Sequence, residues 1–140
     1  MPFEFDFTML VRAGDPRLAP QVDTALAYRT LRDYEPDDEA QAEFRRRMLE
    51  FIADHPHDAH RRELSIGHLT ASALVVDADC ERALLTHHKK LNRWLQLGGH
   101  CDGDANLAGA ALREALEESG IAELAVMPRV LDLDIHAIPA

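Results

Sequence analysis

The stretch Gly98–Ile121, GGHCDGDANLAGAALREALEESGI, decides how the rest of the chain is read. Its two leading glycines close an apolar approach, Trp94-Leu95-Gln96-Leu97, and a polar loop follows from His100 to Asp104. Asp104 is a good N-cap, so the pattern predicts a helix from about Ala105 to Ser119. Gly120 suits the position just past its end, where glycine takes the left-handed conformation at little cost. At about 100° per residue, Ala108, Leu112, Ala115 and Leu116 share one side and should face a core. Glu114, Glu117 and Glu118 share a different side. Their i, i+3 and i+4 spacings bring three carboxylates within reach of one another, and such like-charge neighbours destabilise a helix.

The plain reading of that cluster is a solvated acidic face. The sharper reading is a Mg²⁺ site, because this hard ion takes a few carboxylate oxygens and keeps waters for substrate phosphates. Arg113 precedes the cluster and can pair with one carboxylate to set its orientation. The glycine pair Gly98-Gly99 allows backbone to approach a ligand without interference from a Cβ.

Gly99, with Arg113-Glu114-Ala115-Leu116-Glu117-Glu118-Ser119-Gly120-Ile121, resembles the Nudix box. That family pattern runs Gly, five residues, Glu, seven residues, then Arg-Glu-aliphatic-any-Glu-Glu-any-Gly-aliphatic. Gly99 and Arg113 stand at the required distance, and the chain departs from the pattern at Ala105, where the first glutamate belongs. Asp102 and Asp104 are the nearby carboxylates that would substitute for it. Restoring a glutamate at 105 should raise metal affinity or rate unless one of them already compensates.

The resemblance implies an α/β fold (α+β in some schemes), a Nudix-like α/β/α sandwich with a mixed sheet over residues 65–140, preceded by an N-terminal helical segment, residues 1–64. It implies that Glu114, Glu117 and Glu118 coordinate Mg²⁺ or Mn²⁺, that the Gly98 carbonyl adds a ligand, and that Arg113 orients the glutamates. The implied reaction is attack of an activated water on a nucleoside diphosphate linked to another group, or on a similar organic pyrophosphate. A non-catalytic Nudix-like nucleotide-binding regulatory module is the alternative, and Ala105 is the feature that favours it. The family normally continues beyond its box with more strands and a closing helix. The expectation is therefore a fold incomplete at its C-terminus, or a homo-oligomer that covers the gap, with weak or absent activity.

Outside the box, Lys89, Lys90 and Arg93 precede the glycines and can counter phosphate charge, or be surface charges of a hairpin. His100 is a candidate substrate contact. Trp94 reads as a buried anchor rather than a base-stacking ring, and only one of His87 and His88 should face the core. His55, His57 and His60, with Asp54 and Asp58, have a spacing that could hold zinc, but no cysteine joins them and a solvated loop is the plainer reading. Cys101 lacks a base spaced to activate it and reads as a structural thiol.

Working outward, His68 to Val76 reads as a strand, Asp77-Ala78-Asp79-Cys80 as a turn, and Arg82 to His88 as the returning strand. Residues up to about Leu64 read as helical, with one helix over Leu18–Asp33, a stop at Pro36, and a second helix from about Asp38 to Pro56. Arg45-Arg46-Arg47 reads as a solvated face of that second helix. At 140 residues the chain makes one domain with a short appendage and buries roughly 68% of its unfolded surface. Fifteen Lys and Arg against 25 Asp and Glu give a net charge of −10, which argues against a nucleic-acid polymer as partner. Two cysteines make no disulfide framework, and Met1 to Phe7 has neither the basic nor the apolar region of a signal peptide. No apolar run is long enough to span a bilayer. The expectation is a cytoplasmic protein acting on a small-molecule diphosphate, away from membranes.

Overall fold

The computed structural model describes residues 6–138. Met1 to Phe5 of the N-terminal stretch, together with Pro139 and Ala140, lie outside the described residues.

Among the described residues three α-helices carry the fold: α1 (Ala25–Arg32), α2 (Glu39–Asp54) and α3 (Leu107–Ser119). The first is shorter than the expected span from Leu18. Pro20 is the reason, since the residue before a proline is pushed out of the helical region, and Ala19 sits at φ −57°, ψ 139°. The preceding Pro16–Leu18 makes only a single 3-10 turn. Asp38 starts α2 by accepting from the Gln41 N–H at 2.8 Å, and the helix ends before Pro56. Ile52 is buried, and Phe44, Met48, Leu49 and Phe51 pack beside it. Of the three arginines expected to be solvated, Arg46 pairs with Glu43 and Glu50 on the surface. Arg45 instead donates to the carbonyl of Tyr34 at 2.6 Å and holds the end of α1 against α2.

The strands are short: β1 (Val11–Arg12), β2 (Thr70–Ala73), β3 (Val75–Val76), β4 (Ala83–Leu84), β5 (Thr86–His88), β6 (Arg93–Leu95), β7 (Leu97–His100) and β8 (Ala125–Val126). The pairs are β1–β8, β2–β7, β3–β4 and β5–β6, all antiparallel. Helices against small sheets give the α/β class the sequence predicts. A mixed sheet was expected, and no parallel pairing occurs among the described residues. A parallel pair needs a crossover of about a dozen residues or more, whereas β3–β4 and β5–β6 are joined by tight turns. The predicted turn after Val76 forms around Asp77, whose carboxylate accepts from the N–H groups of Glu81 and Arg82. Strand β1 falls in the region read as helical. It holds its conformation by pairing Val11 with Val126, a partner no local pattern reveals.

One hydrophobic cluster joins Ala27, Leu31, Tyr34 and Ile52 to Leu69, Ala71, Cys101, Ala105, Ala110, Ala111 and Leu133. A second holds Val11, Leu18 and Leu112. Fully burying a side chain such as Leu31 or Leu97 contributes about 2–3 kcal/mol. No helix among the described residues is long and apolar enough to cross a membrane.

His60 departs from the solvated loop expected for its segment. It is fully buried, and neither ring nitrogen has a protein partner. An unsatisfied buried polar group costs about 1–3 kcal/mol, so His60→Leu, of similar volume, should raise the melting temperature by a few degrees. Calorimetry checks this, and an unchanged or lowered midpoint would show that the imidazole is satisfied by ordered water. His57 is exposed, and His55 is half-buried against the Phe51 ring at 5.1 Å.

Candidate functional site

Strands β2 and β7 form the platform. Their register places Ala71 opposite Gly99 and Ser72 opposite Gly98, and α3 packs across both strands. Gly99 lies directly beneath the first glutamate of the helix. A Cβ there would stand 2.9 Å from Glu114 Cδ and Oε2, so only glycine lets the carboxylate rest against the strand.

Helix α3 starts later than predicted. Its N-cap is Asn106, whose Oδ1 accepts from the Gly109 N–H at 3.1 Å, and it ends as expected at Gly120, with φ 71°. Asp104 is not the cap because its oxygens are already engaged. Oδ1 accepts from the N–H groups of Gln21 and Asn106 at 3.0 and 2.9 Å, and Oδ2 accepts from Arg113 Nη1 at 3.1 Å. Arg113 therefore bonds Asp104, and no bond from it to Glu114, Glu117 or Glu118 occurs among the described residues. The expectation that Arg113 orients the glutamates by pairing with one of them gives way to this geometry. Asp104 is nearly buried, which strengthens its pull on the guanidinium.

The three glutamates share one face, as the spacing predicts. Glu114 is half-buried, while Glu117 and Glu118 are exposed. Burial first, then the negative charges of Glu117 and Glu118, push the Glu114 carboxyl above the usual carboxylate range. None of the three has a hydrogen bond or ion pair among the described residues. Among the described residues no three carboxylate, histidine or cysteine side chains, these glutamates included, converge at metal-binding spacing. Mg²⁺ is held by as few as one or two carboxylates with waters completing its shell, so the oxygen donors present suit it without such convergence.

Of the two carboxylates expected to compensate for Ala105, Asp102 pairs with Arg62 at 2.8 Å, and Asp104 is the one that reaches the helix. Ala105 itself is fully buried in the main core cluster. Cys101 is buried as well, and burial pushes its thiol up to about 12, far from a nucleophile's range.

His100 does not stand alone. Its Nδ1 lies 3.0 Å from His68 Nε2, with the ring centroids 5.1 Å apart. Burial and then His100 lower the affinity of His68 for a proton. No local pattern in the sequence marks His68; it lies two residues before Thr70, which pairs with His100 in the β2–β7 register, and that pairing brings the two rings together.

Lys89, Lys90 and Arg93 are exposed on the β5–β6 hairpin. Trp94, expected as a buried anchor, is 67% exposed, and both His87 and His88 face solvent. The reason is that among the described residues β5 and β6 pair only with each other and no helix or other strand packs extensively against them. Trp94 is steadied by an edge-to-face contact with His87 at 5.1 Å, and His87 is held in turn by Asn92 at 3.1 Å.

A glycine-floored strand pair beneath a helix with an Arg-Glu-any-any-Glu-Glu face defines the class of site. The family profile for the NUDIX domain matches residues 67–136, half of the chain, from just before β2 to beyond β8. The chain belongs to the NUDIX-domain family, whose members are Nudix-type hydrolases in general. No curated protein matches it.

Proposed function

We propose that this protein is a divalent-cation-dependent hydrolase of a nucleoside diphosphate linked to another group, or of a similar organic pyrophosphate. The observation that carries this reading is the carboxylate face of Glu114, Glu117 and Glu118, without side-chain partners among the described residues, with Glu114 set beside Gly99 while the adjacent Arg113 is occupied by Asp104. Those glutamates would hold Mg²⁺ or Mn²⁺, joined by the Gly98 carbonyl. When bound, such an ion supplies a water of lowered pKa and neutralises charge developing on phosphate oxygens.

The chain's own groups supply the rest. Among the box carboxylates Glu114 has its proton affinity raised, by burial first and then by the charges of Glu117 and Glu118, a cost that a bound cation would relieve. Lys89, Arg93 and His100 are proposed as contacts to the substrate's anionic and organic parts. Exposed Leu74, Leu84, Leu85 and Trp94 favour a homo-oligomer, which light scattering tests. The cytoplasm is the proposed compartment.

The buried methyl of Ala105, where the family pattern has a carboxylate, favours a second reading, a nucleotide-binding regulatory module. A hydrolysis screen over a panel of organic pyrophosphates separates the two. Turnover with Mg²⁺ that is abolished by EDTA is the expected result. Turnover undiminished in EDTA would sink the metal mechanism, and tight nucleotide binding without turnover would favour the regulatory reading.

A further inference from the structure

The start of α3 is fastened to a segment far away in the chain. Asn106 Nδ2 donates to the carbonyls of Arg17 and Ala19, both at 3.0 Å. The Ala105 N–H donates to the Gln21 carbonyl at 2.8 Å, and the Gln21 N–H donates back to Asp104 Oδ1 at 3.0 Å. Leu18, from the same segment, is buried against Leu112 of the helix. The fit is close enough that a Cβ on Gly109, in the first turn of α3, would stand 2.8 Å from the Leu18 carbonyl oxygen. Asp104 and Asn106 are 7% and 3% exposed, so water does not replace these bonds when they break.

Both buried side chains face two ways. Asn106 caps α3 through Oδ1 and holds the distant segment through Nδ2. Asp104 receives Gln21 on one oxygen and Arg113 on the other. A chain of contacts thus runs from Gln21 through Asp104 to Arg113, the residue before Glu114. A guanidinium released from Asp104 would be free to pair with the glutamates and compete with a cation for them.

We propose that Arg17–Gln21 is a positioning strap for the glutamate face of α3. Acting through Asp104 and Asn106, it fixes the first turn of the helix and keeps Arg113 off the carboxylates. No strap residue needs to touch ion or substrate. The effect on cation binding rests on the reading of Glu114, Glu117 and Glu118 as ligands, whereas the effect on the helix does not.

Two variants of the full chain loosen the strap by separate routes. Asn106→Asp keeps an oxygen to cap Gly109 but replaces the Nδ2 donor with an oxygen that repels the Arg17 and Ala19 carbonyls. Gly109→Ala drives a methyl against the Leu18 carbonyl while raising intrinsic helix propensity. Two measurements are made on each: Mn²⁺ binding without substrate, by electron paramagnetic resonance, and amide hydrogen exchange. In both variants exchange should quicken at Gln21 and Ala105 and spread along α3 to Glu114. Mn²⁺ should bind about tenfold more weakly, the scale of losing an orienting partner behind a ligand. Quickened exchange confined to the strap, with Mn²⁺ affinity unchanged, would overturn the proposal. If the wild-type protein binds no Mn²⁺, the metal reading fails, and the spread or confinement of exchange alone decides the strap. Should Asn106→Asp not fold, Gly109→Ala decides it.

Discussion

Glu114→Gln and Glu118→Gln should each cut cation-dependent turnover by roughly a hundredfold while leaving the metal-free protein folded and no less stable. The rate loss corresponds to about 3 kcal/mol of lost stabilisation of charge on the reacting phosphate. The stability gain has the opposite origin. Glu114 carries its charge half-buried beside Glu117 and Glu118, so its carboxyl titrates above the usual range in the folded state. A carboxyl whose folded pKa is raised destabilises the fold at pH values above that pKa, and the penalty fades as pH falls toward the unfolded value. Glu114→Gln should therefore raise the melting temperature at pH 7 and leave it unchanged near pH 3. A solvated acidic face predicts the same stability gain with full turnover. Wild-type rates in both variants would end the assignment of these residues.

Ala105→Glu should fail to restore the family pattern and should instead destabilise the protein by about 3–5 kcal/mol, the usual scale for an uncompensated buried charge. Ala105 is fully buried among Ala59, Leu69, Cys101 and Ala110, and its N–H is committed to Gln21. A glutamate there has no cation to meet, because Arg113 is already paired with Asp104. For a domain stable by only about 5–15 kcal/mol, this is a large share of the total. Denaturant midpoints at pH 7 and near pH 4 check it, since protonation of the new carboxyl should relieve part of the loss. A variant as stable as wild type with higher activity would show that the loop reopens to receive a glutamate. The sequence reading allowed that outcome, and the buried position of Ala105 is what argues against it.

What was legible along the chain was local. The cap and end of α2, the turn at Asp77, Gly120 as the end of α3 and the shared face of Glu114, Glu117 and Glu118 all depend on residues within about one or two helical turns. Periodicity records such neighbours directly. The late start of α3 was not legible, because Asp104 looks like a cap until its oxygens are seen to be taken by Gln21 and Arg113. Nor was the exposure of Trp94 legible, since an aromatic residue in a strand reads the same whether or not another layer covers it.

By itself, the sequence determined the acidic helix, the glycine pair before it and the family to which both belong. Only the tertiary structure decided what surrounds them. It gave Arg113 to Asp104, placed His68 against His100, and stitched residues 83 and 89 positions apart, Gln21 with Asp104 and Arg17 with Asn106, across the root of the helix. The physical reason is that helical spacing fixes which side chains share a face, whereas a buried donor accepts whichever partner the packed chain brings within about 3 Å. That choice is made by the fold as a whole.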